Sequence, residues 1–458
     1  MLRLHDTALG TTTPVVGEGG RLSLYVCGPT VYDVPHLGHG RTALVYDVLR
    51  RYLEWSGVGV THVSNITDID DKIIERSLAE GRSAAEVAAE YEAAYWDATD
   101  RLGMLRPHHA PRATEYVGQM IDLIAQLVDR GSAYPSGGDV YFATDSVADY
   151  GLLAQQPLAE LRAGARVEAG AAKRQPTDFV LWKASRPGEP TWDSPWGPGR
   201  PGWHTECVAM SLDLLGENFD LHTGGLDLKF PHHENERAQA VALGRPFARH
   251  WMHHAFVEVA GEKMSKSLGN FTSLTDLLAR TDRRAFRLLL LQSHYRSPME
   301  VTPETTDRAQ RTLRRIDDFA RRFEAVFAGA GPPPSEQALE PFRAAMDDDL
   351  DTPAAMSHVS ELIRRANAAA DAGDAAEATS LASAVADVLD ALGLPPDRPD
   401  PEAADASVLD MVAQLDDARA RRDFETADTI RAELTSAGWV VENSAEGTRV
   451  RRKGPGDR

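Results

Sequence analysis

Between residues 21 and 68 the hydrophobic period of the chain changes twice, and this restricts the fold more than any other feature. Leu22, Leu24 and Val26 alternate with Arg21, Ser23 and Tyr25, the period of two expected of a strand. The run ends in a turn at Cys27-Gly28-Pro29. From Thr42 to Trp55 a helix is predicted, with Ala43, Val45, Tyr46, Leu49 and Leu53 as inward positions. Val58 to Val63 reads as a second strand, ending at Asn65-Ile66-Thr67-Asp68. Strand, glycine-bearing loop, helix and strand form the βαβ unit of a nucleotide-binding α/β fold.

The rest of the chain divides by composition. Residues 72–130 look mainly helical, so 1–130 forms the first half of the α/β core. Residues 131–200 change character. Tyr134-Pro135-Ser136-Gly137-Gly138 is followed by a predicted strand, Asp139–Phe142, and then by Pro- and Gly-rich sequence through Trp192–Pro201. This segment reads as an insertion between two halves of the core sheet. The second half, 201–273, has strands predicted at Phe219–Leu221 and Ala255–Val259 and helices at about 206–215 and 232–243. A helical junction follows at 274–335, broken by Gly-Ala-Gly-Pro-Pro-Pro at Gly329–Pro334, then a helical domain at 336–398. After a linker at Pro395–Pro401, a C-terminal module at 399–458 has helical sequence at Val408–Leu434 and two short strands, Trp439–Glu442 and Thr448–Arg451.

Bulk properties exclude several classes. A chain of 458 residues with only two cysteines has no disulfide framework, which suits a reducing cytoplasm. No stretch approaches the roughly 20 apolar residues of a membrane span; Leu288–Leu291 is far too short, and Met-Leu-Arg-Leu-His-Asp is not the start of a signal peptide. The formal charge of −20 argues against broad nonspecific nucleic-acid binding, though not against a local basic face. Arginines cluster at Arg311, Arg314, Arg315, Arg321 and Arg322, and basic residues at Arg449, Arg451, Arg452 and Lys453. On charge alone both groups read as solvated faces.

Two motifs carry chemistry. His36-Leu37-Gly38-His39 lies between the first strand and its helix, where free backbone N–H groups and the helix dipole favour phosphate. Gly38 lets a nucleotide approach the backbone, and two imidazoles can donate to a phosphate in transfer; alternatively, the pair simply caps a helix. Lys263-Met264-Ser265-Lys266-Ser267 follows a strand and offers two ammonium groups on a small-residue loop, a cationic clamp for a triphosphate. The alternative for it is a solvated basic loop. A third constellation is a possible metal set. His232 and Glu236 are four apart and share a helix face, and Cys27 and Cys207 could add sulfur. His233 has Arg237 in the equivalent position. Two buried free thiols beside a charged helix remain the alternative.

In their order and placement the His36–His39 and Lys263–Ser267 motifs resemble the signatures of class I aminoacyl-tRNA synthetases, usually written HIGH and KMSKS. Residues 25–47, Asn65–Lys72, Gly202–Cys207 and Phe230–Glu236 are similar to the cysteinyl-tRNA synthetase family in particular, in order over most of the chain. The resemblance implies an α/β, Rossmann-like parallel-sheet catalytic core with an insertion, then an α-helical domain and a small anticodon-binding module. Asp347–Pro353 resembles the opening of that helical domain, and Arg419–Trp439, including Arg422–Asp428, the terminal module, where Arg449–Lys453 would supply basic groups and Trp439 is either a stacking surface or core.

The same resemblance implies the site. Cys27, Cys207, His232 and Glu236 would hold one zinc ion per subunit. His36, His39, Lys263 and Lys266 would stabilise the phosphate transition state, and Gly38, Gly224, Gly225, Asp227 and Lys266 would bind ATP with Mg²⁺. Thr67, Trp203 and His222 would line the amino-acid pocket. Partners would be L-cysteine, ATP and tRNA(Cys), for a monomer in the cytoplasm with no membrane association. Zinc suits this task because an apolar pocket separates serine from cysteine poorly, whereas the metal favours the softer thiolate. Thr223 and Leu226 depart from the family pattern, which has glycine and a small polar residue there. Two other readings share these residues: a ligase joining cysteine to an amino sugar in mycothiol synthesis, and a noncatalytic zinc- or RNA-binding paralogue.

Overall fold

The computed structural model describes residues 1–156, 173–259, 262–263, 273–397, 406–444 and 447–452. Its centre is a four-stranded parallel sheet with strand order His250–His254, Leu221–Gly225, Arg21–Val26, Gly59–Ser64. The alternation in the first strand serves two buried faces. Leu22, Leu24 and Val26 pack against the helix Leu37–Trp55 and the helix Arg283–Leu291, with Leu44, Val48, Leu49 and Phe286 in the same core. Tyr25 and Cys27 face the other way, into a second core with Leu123, Cys207, Val208 and Trp251. All five inward positions predicted for the first helix are buried.

That helix begins at Leu37, five residues before the predicted start, because His36 caps it. The strand predicted at Phe219–Leu221 runs instead from Leu221 to Gly225. Of the strand predicted at Ala255–Val259 only Val257–Val259 forms, and a further strand, His250–His254, precedes it. His250–His254 belongs to the core sheet, and Val257–Val259 to a small sheet with Glu262–Lys263 and Met299–Glu300. The chain leaves the core sheet at Ala255 and Phe256, where Ala255 N donates to Tyr295 O and Arg41 donates to Phe256 O.

Within 131–200 four antiparallel strands form one sheet: Ala133–Ser136, Asp139–Phe142, Phe179–Ala184 and Gly199–Pro201. Asp178 fastens its interior, accepting from Tyr134 Oη, Thr144 N and Gln175 N. Beyond the core, helices Pro303–Arg322, Glu336–Asp347, Thr352–Asp371 and Ala375–Ala391 continue the first hydrophobic core. Some of the linker predicted at Pro395–Pro401 lies outside the described residues. Helices Ala406–Ala420 and Phe424–Ser436 pack on a hairpin, Trp439–Ser444 with Gly447–Arg452, and enclose their own small core. Trp439 is 2% exposed within it, so it is core and offers no open face for stacking. Among the described residues no helix is long and apolar enough to cross a membrane.

One buried ion pair joins several of these elements. Arg287 Nη1 lies 2.6 Å from Asp47 Oδ2 with both side chains almost wholly enclosed, and Asp47 Oδ1 also accepts from Leu105 N. Removing one charge leaves the other buried without a counter-charge. Asp47→Asn is therefore expected to destabilise the protein by about 3–5 kcal/mol, read as a lower urea midpoint; an unchanged midpoint would contradict this account.

Candidate active site and metal centre

A cleft of about 290 Å³ opens at the carboxyl ends of the parallel strands, lined by Cys27, His36, Gly38, His39, Trp203 and Asp227 among others. Crevices of this kind are where open α/β sheets bind ligands. His36 and His39 form a reciprocal cap: His36 Nδ1 accepts from His39 N and His39 Nδ1 from His36 N, both at 3.3 Å. Their rings stack at 3.8 Å. A Cβ at residue 38 would lie 2.7 Å from the His36 ring, so glycine is what lets that ring fold back. With both Nδ1 atoms acting as acceptors, the hydrogen of each neutral ring sits on Nε2. Two N–H donors thus belong to rings on the cleft wall.

The four possible metal donors converge. Cys27 and Cys207, 180 positions apart in sequence, have their Sγ atoms 3.6 Å apart. Cys207 Sγ lies 3.6 Å from His232 Nε2, Cys27 Sγ 3.6 Å from Glu236 Oε1, and His232 Nε2 2.9 Å from Glu236 Oε1. A tetrahedral divalent metal with bonds of about 2.3 Å to sulfur and 2.0–2.1 Å to nitrogen or oxygen would set these edges at about 3.8, 3.6 and 3.3 Å. The residues present fit such an ion, and all four are buried.

The four groups set one another's charge: burial and the bond with Cys207 push the Cys27 thiol well up. Burial raises the Cys207 thiol, but the bond donated by Cys27 and the His232 ring outweigh it and hold it at about 6. Burial lowers the His232 ring, yet Glu236 and Cys207 push it up to about 10. Glu236 stays well below the usual carboxylate range although burial opposes this, because His222 and His232 flank it.

Other residues reach the cluster that sequence spacing did not select. His233 Nε2 lies 3.2 Å from Cys27 Sγ, its Nδ1 is 2.8 Å from His253 Nε2, and His253 Nδ1 is 2.7 Å from Thr7 Oγ1. Cys27, His222, His233 and Glu236 make a second possible set, with only one sulfur. A wide turn at Lys229–His233, preceding the helix Glu234–Ala242, brings both neighbouring histidines inward, and no helical spacing rule reveals it.

Of the predicted pocket residues, Trp203 lies on the cleft, 37% exposed, stacked on His232 at 4.0 Å. His222 is wholly buried behind the cluster, stacked on Tyr25, with Nε2 2.9 Å from Glu236 Oε2 but without hydrogen-bond alignment. Thr67 is also buried and donates to Glu206 Oε2 at 2.8 Å. Burial beside Cys207 pushes Glu206 well above the usual carboxylate range. Gly225 and Asp227 line the cleft, whereas a Cβ on Gly224 would meet Leu228 and His233. Lys263 ends the short strand paired to Glu258. Lys266 lies outside the described residues.

Comparison with known proteins adds independent evidence. Residues 14–311 match the family described as tRNA synthetases class I (C) catalytic domain, and residues 341–395 match the DALR domain. The chain is 46% identical to the cysteine–tRNA ligase of Halorhodospira halophila, covering 99% of this chain and 100% of the relative. It is 43% identical to the cysteine–tRNA ligase of Carboxydothermus hydrogenoformans, over 98% and 100%. Among solved structures, the Mycobacterium tuberculosis methionyl-tRNA synthetase in complex with methionyl-adenylate superposes with a TM-score of 0.63. At 16% identity, over 89% of this chain and 96% of that one, it shows the shared fold.

Gly28 tests the wall between the metal cluster and the cleft. Its amide donates to Asn65 Oδ1 at 2.9 Å, and a Cβ there would fall 1.6 Å from Asn65 O. Gly28→Ala must push these neighbouring strand ends apart and should cost about 3 kcal/mol, the upper end for overpacking. Thermal unfolding measures this; wild-type stability would show that the loops are not held in this contact.

Proposed function

The chain belongs to the cysteine–tRNA ligase family of class I tRNA synthetases, and we propose that it selects cysteine through a zinc ion held by Cys27, Cys207, His232 and Glu236. One observation carries this reading. Cys27, one donor of the sulfur-rich set, and Trp203, stacked on the donor His232, line the same cleft as the His36–His39 turn, so an amino acid held at the first stands beside a nucleotide held at the second. When bound, the zinc ion would supply a coordination position that takes a thiolate in preference to a hydroxyl.

The chain's own groups divide the remaining work. In the first step the cysteine carboxylate attacks the α-phosphorus of ATP, which enters with Mg²⁺, and pyrophosphate leaves. The Nε2–H groups of His36 and His39 and the first amides of their helix, including that of Gly38, donate to phosphate oxygens as charge develops there. Lys263 and Lys266 add positive charge for the same phosphates. Gly225 leaves room at the end of its strand for the nucleoside, with Gly224 behind it, and Asp227 accepts from a ribose hydroxyl. Trp203 covers the amino acid, while His222 and Thr67 act from behind the wall, orienting Glu236 and Glu206. In the second step the terminal ribose hydroxyl of tRNA(Cys) attacks the acyl carbon and AMP leaves. The protein acts as a cytoplasmic monomer in this reading, and 399–458 reads the anticodon.

Cysteine-dependent exchange of pyrophosphate into ATP, followed by transfer to tRNA, is the direct test. Exchange with transfer only to an amino sugar would favour the mycothiol-type ligase and overturn the tRNA reading. The metal assignment has its own measurement. Cys207→Ser should lose bound zinc by elemental analysis and weaken cysteine binding, whereas His233→Gln should keep the metal. Wild-type zinc content in Cys207→Ser would remove the proposed set.

A further inference from the structure

The sequence Asp347-Asp348-Asp349-Leu350 lies in the helical domain, and its third carboxylate is buried and does not line the cleft. Asp349 is 5% exposed. Its Oδ1 accepts from Tyr295 Oη at 2.5 Å and from His5 N at 2.8 Å, and its Oδ2 from Arg296 Nε at 2.7 Å. Its own amide donates to Arg3 O at 2.9 Å. Asp349 and Leu350 have φ of 59° and 52°, two consecutive left-handed residues, of which Leu350 is of a type that rarely adopts that conformation. A backbone held this way is overdetermined by its surroundings, which points to a specific task.

That task is visible in what Asp349 grips. Tyr295 and Arg296 begin a segment whose carbonyls are clamped from the catalytic side. Arg41, 1% exposed and two residues after His39, donates to Tyr295 O at 3.0 Å, Ser297 O at 2.5 Å and Phe256 O at 2.5 Å. Three residues further on, Met299 and Glu300 pair in parallel with Val257 and Glu258, and Glu258 pairs on its other side with Lys263. One segment is therefore tied through Arg41 to the helix that carries the histidine turn and through strand Val257–Val259 to the strand that ends at Lys263, and a carboxylate of the helical domain holds it.

We propose that Asp349 is a positioning residue for adenylate formation, fixing segment 294–300 so that Arg41 and strand Val257–Val259 hold the two signature motifs in register. The proposal rests on the synthetase reading. Its test uses the full-length enzyme in pyrophosphate exchange without tRNA, comparing Asp349→Asn, Arg41→Lys and the double variant. Displacement of reacting groups by a fraction of an ångström costs rate more than binding. Asp349→Asn is expected to lower kcat per folded molecule about tenfold or more, with KM for cysteine within about twofold and zinc content unchanged. The double variant should be no slower than the slower single, because both act through one segment.

Wild-type kcat in folded Asp349→Asn, or multiplicative losses in the double variant, would overturn the proposal. Should Asp349→Asn fail to fold, Tyr295→Phe removes one hydroxyl and keeps the ring. It should show a smaller fall in kcat, and an unchanged kcat there would be equally decisive against. A wild-type protein without exchange would sink the synthetase reading and this proposal with it.

Discussion

The hydrogen bond from Cys27 N to Thr223 O, 3.0 Å long, closes the ladder between two strands that are distant in sequence. The site depends on it. Arg21–Val26 lies between Gly59–Ser64 and Leu221–Gly225, so the loop leaving it is flanked by the loops leaving both neighbours. On one side Asn65 Oδ1 accepts from Gly28 N; on the other Thr223 receives the Cys27 amide. Parallel strands require long crossovers, and here the crossover contains the insertion and the helix Trp203–Leu214 that carries Cys207. Packing that helix on the face of the sheet that bears Tyr25 and Cys27 brings the two sulfurs together. The convergence of the cysteine, histidine and glutamate side chains is thus a consequence of strand order, as is the cleft beside it.

The regions legible in the sequence are those where burial alone decides the residue. Leu22, Leu24 and Val26 announce a strand because one face of it meets only apolar neighbours. Trp439 and Val441 do so because both fill the small C-terminal core. The strand Leu221–Gly225 hides itself for the opposite reason. His222-Thr223-Gly224-Gly225 looks like a polar turn, yet each position answers a neighbour: His222 stacks on Tyr25, and Tyr46 Oη donates to Gly224 O at 2.7 Å. Ala255–Val259 reads as a strand two residues longer than Val257–Val259 because nothing local shows that Arg41 holds the Phe256 carbonyl. In the insertion, the strand Phe179–Ala184 depends on Asp178, whose buried bonds to Tyr134 and Thr144 are long-range.

The candidate site shows the same division. The i, i+4 rule picks out His232 with Glu236, and those atoms meet at 2.9 Å. It offers His233 only Arg237 as a partner and so passes over the contact of His233 with Cys27, which the wide turn Lys229–His233 and the strand order create. Trp203 and Trp439 pose the same question of exposed surface or core. Only tertiary packing separates them: one lies over His232 on the cleft, the other under Leu415 and Leu434.

The two departures from the family pattern have opposite physical meanings. Thr223 is fully enclosed, and its hydroxyl donates to Tyr25 O at 3.0 Å. Its Oγ1 therefore adds a cross-strand bond beside the one its own carbonyl accepts from Cys27, tightening the strand end that holds a metal donor. A glycine at this position would forgo that bond without opening space toward the cleft, since Thr223 does not line it. Leu226 is 42% exposed, its amide bonded to His254 O and its neighbour Asp227 on the cleft wall. Leu226 itself does not line the cleft either, so it acts there only through the backbone it shares with Gly225 and Asp227, whereas Thr223 acts on the rigidity of the sheet that carries Cys27.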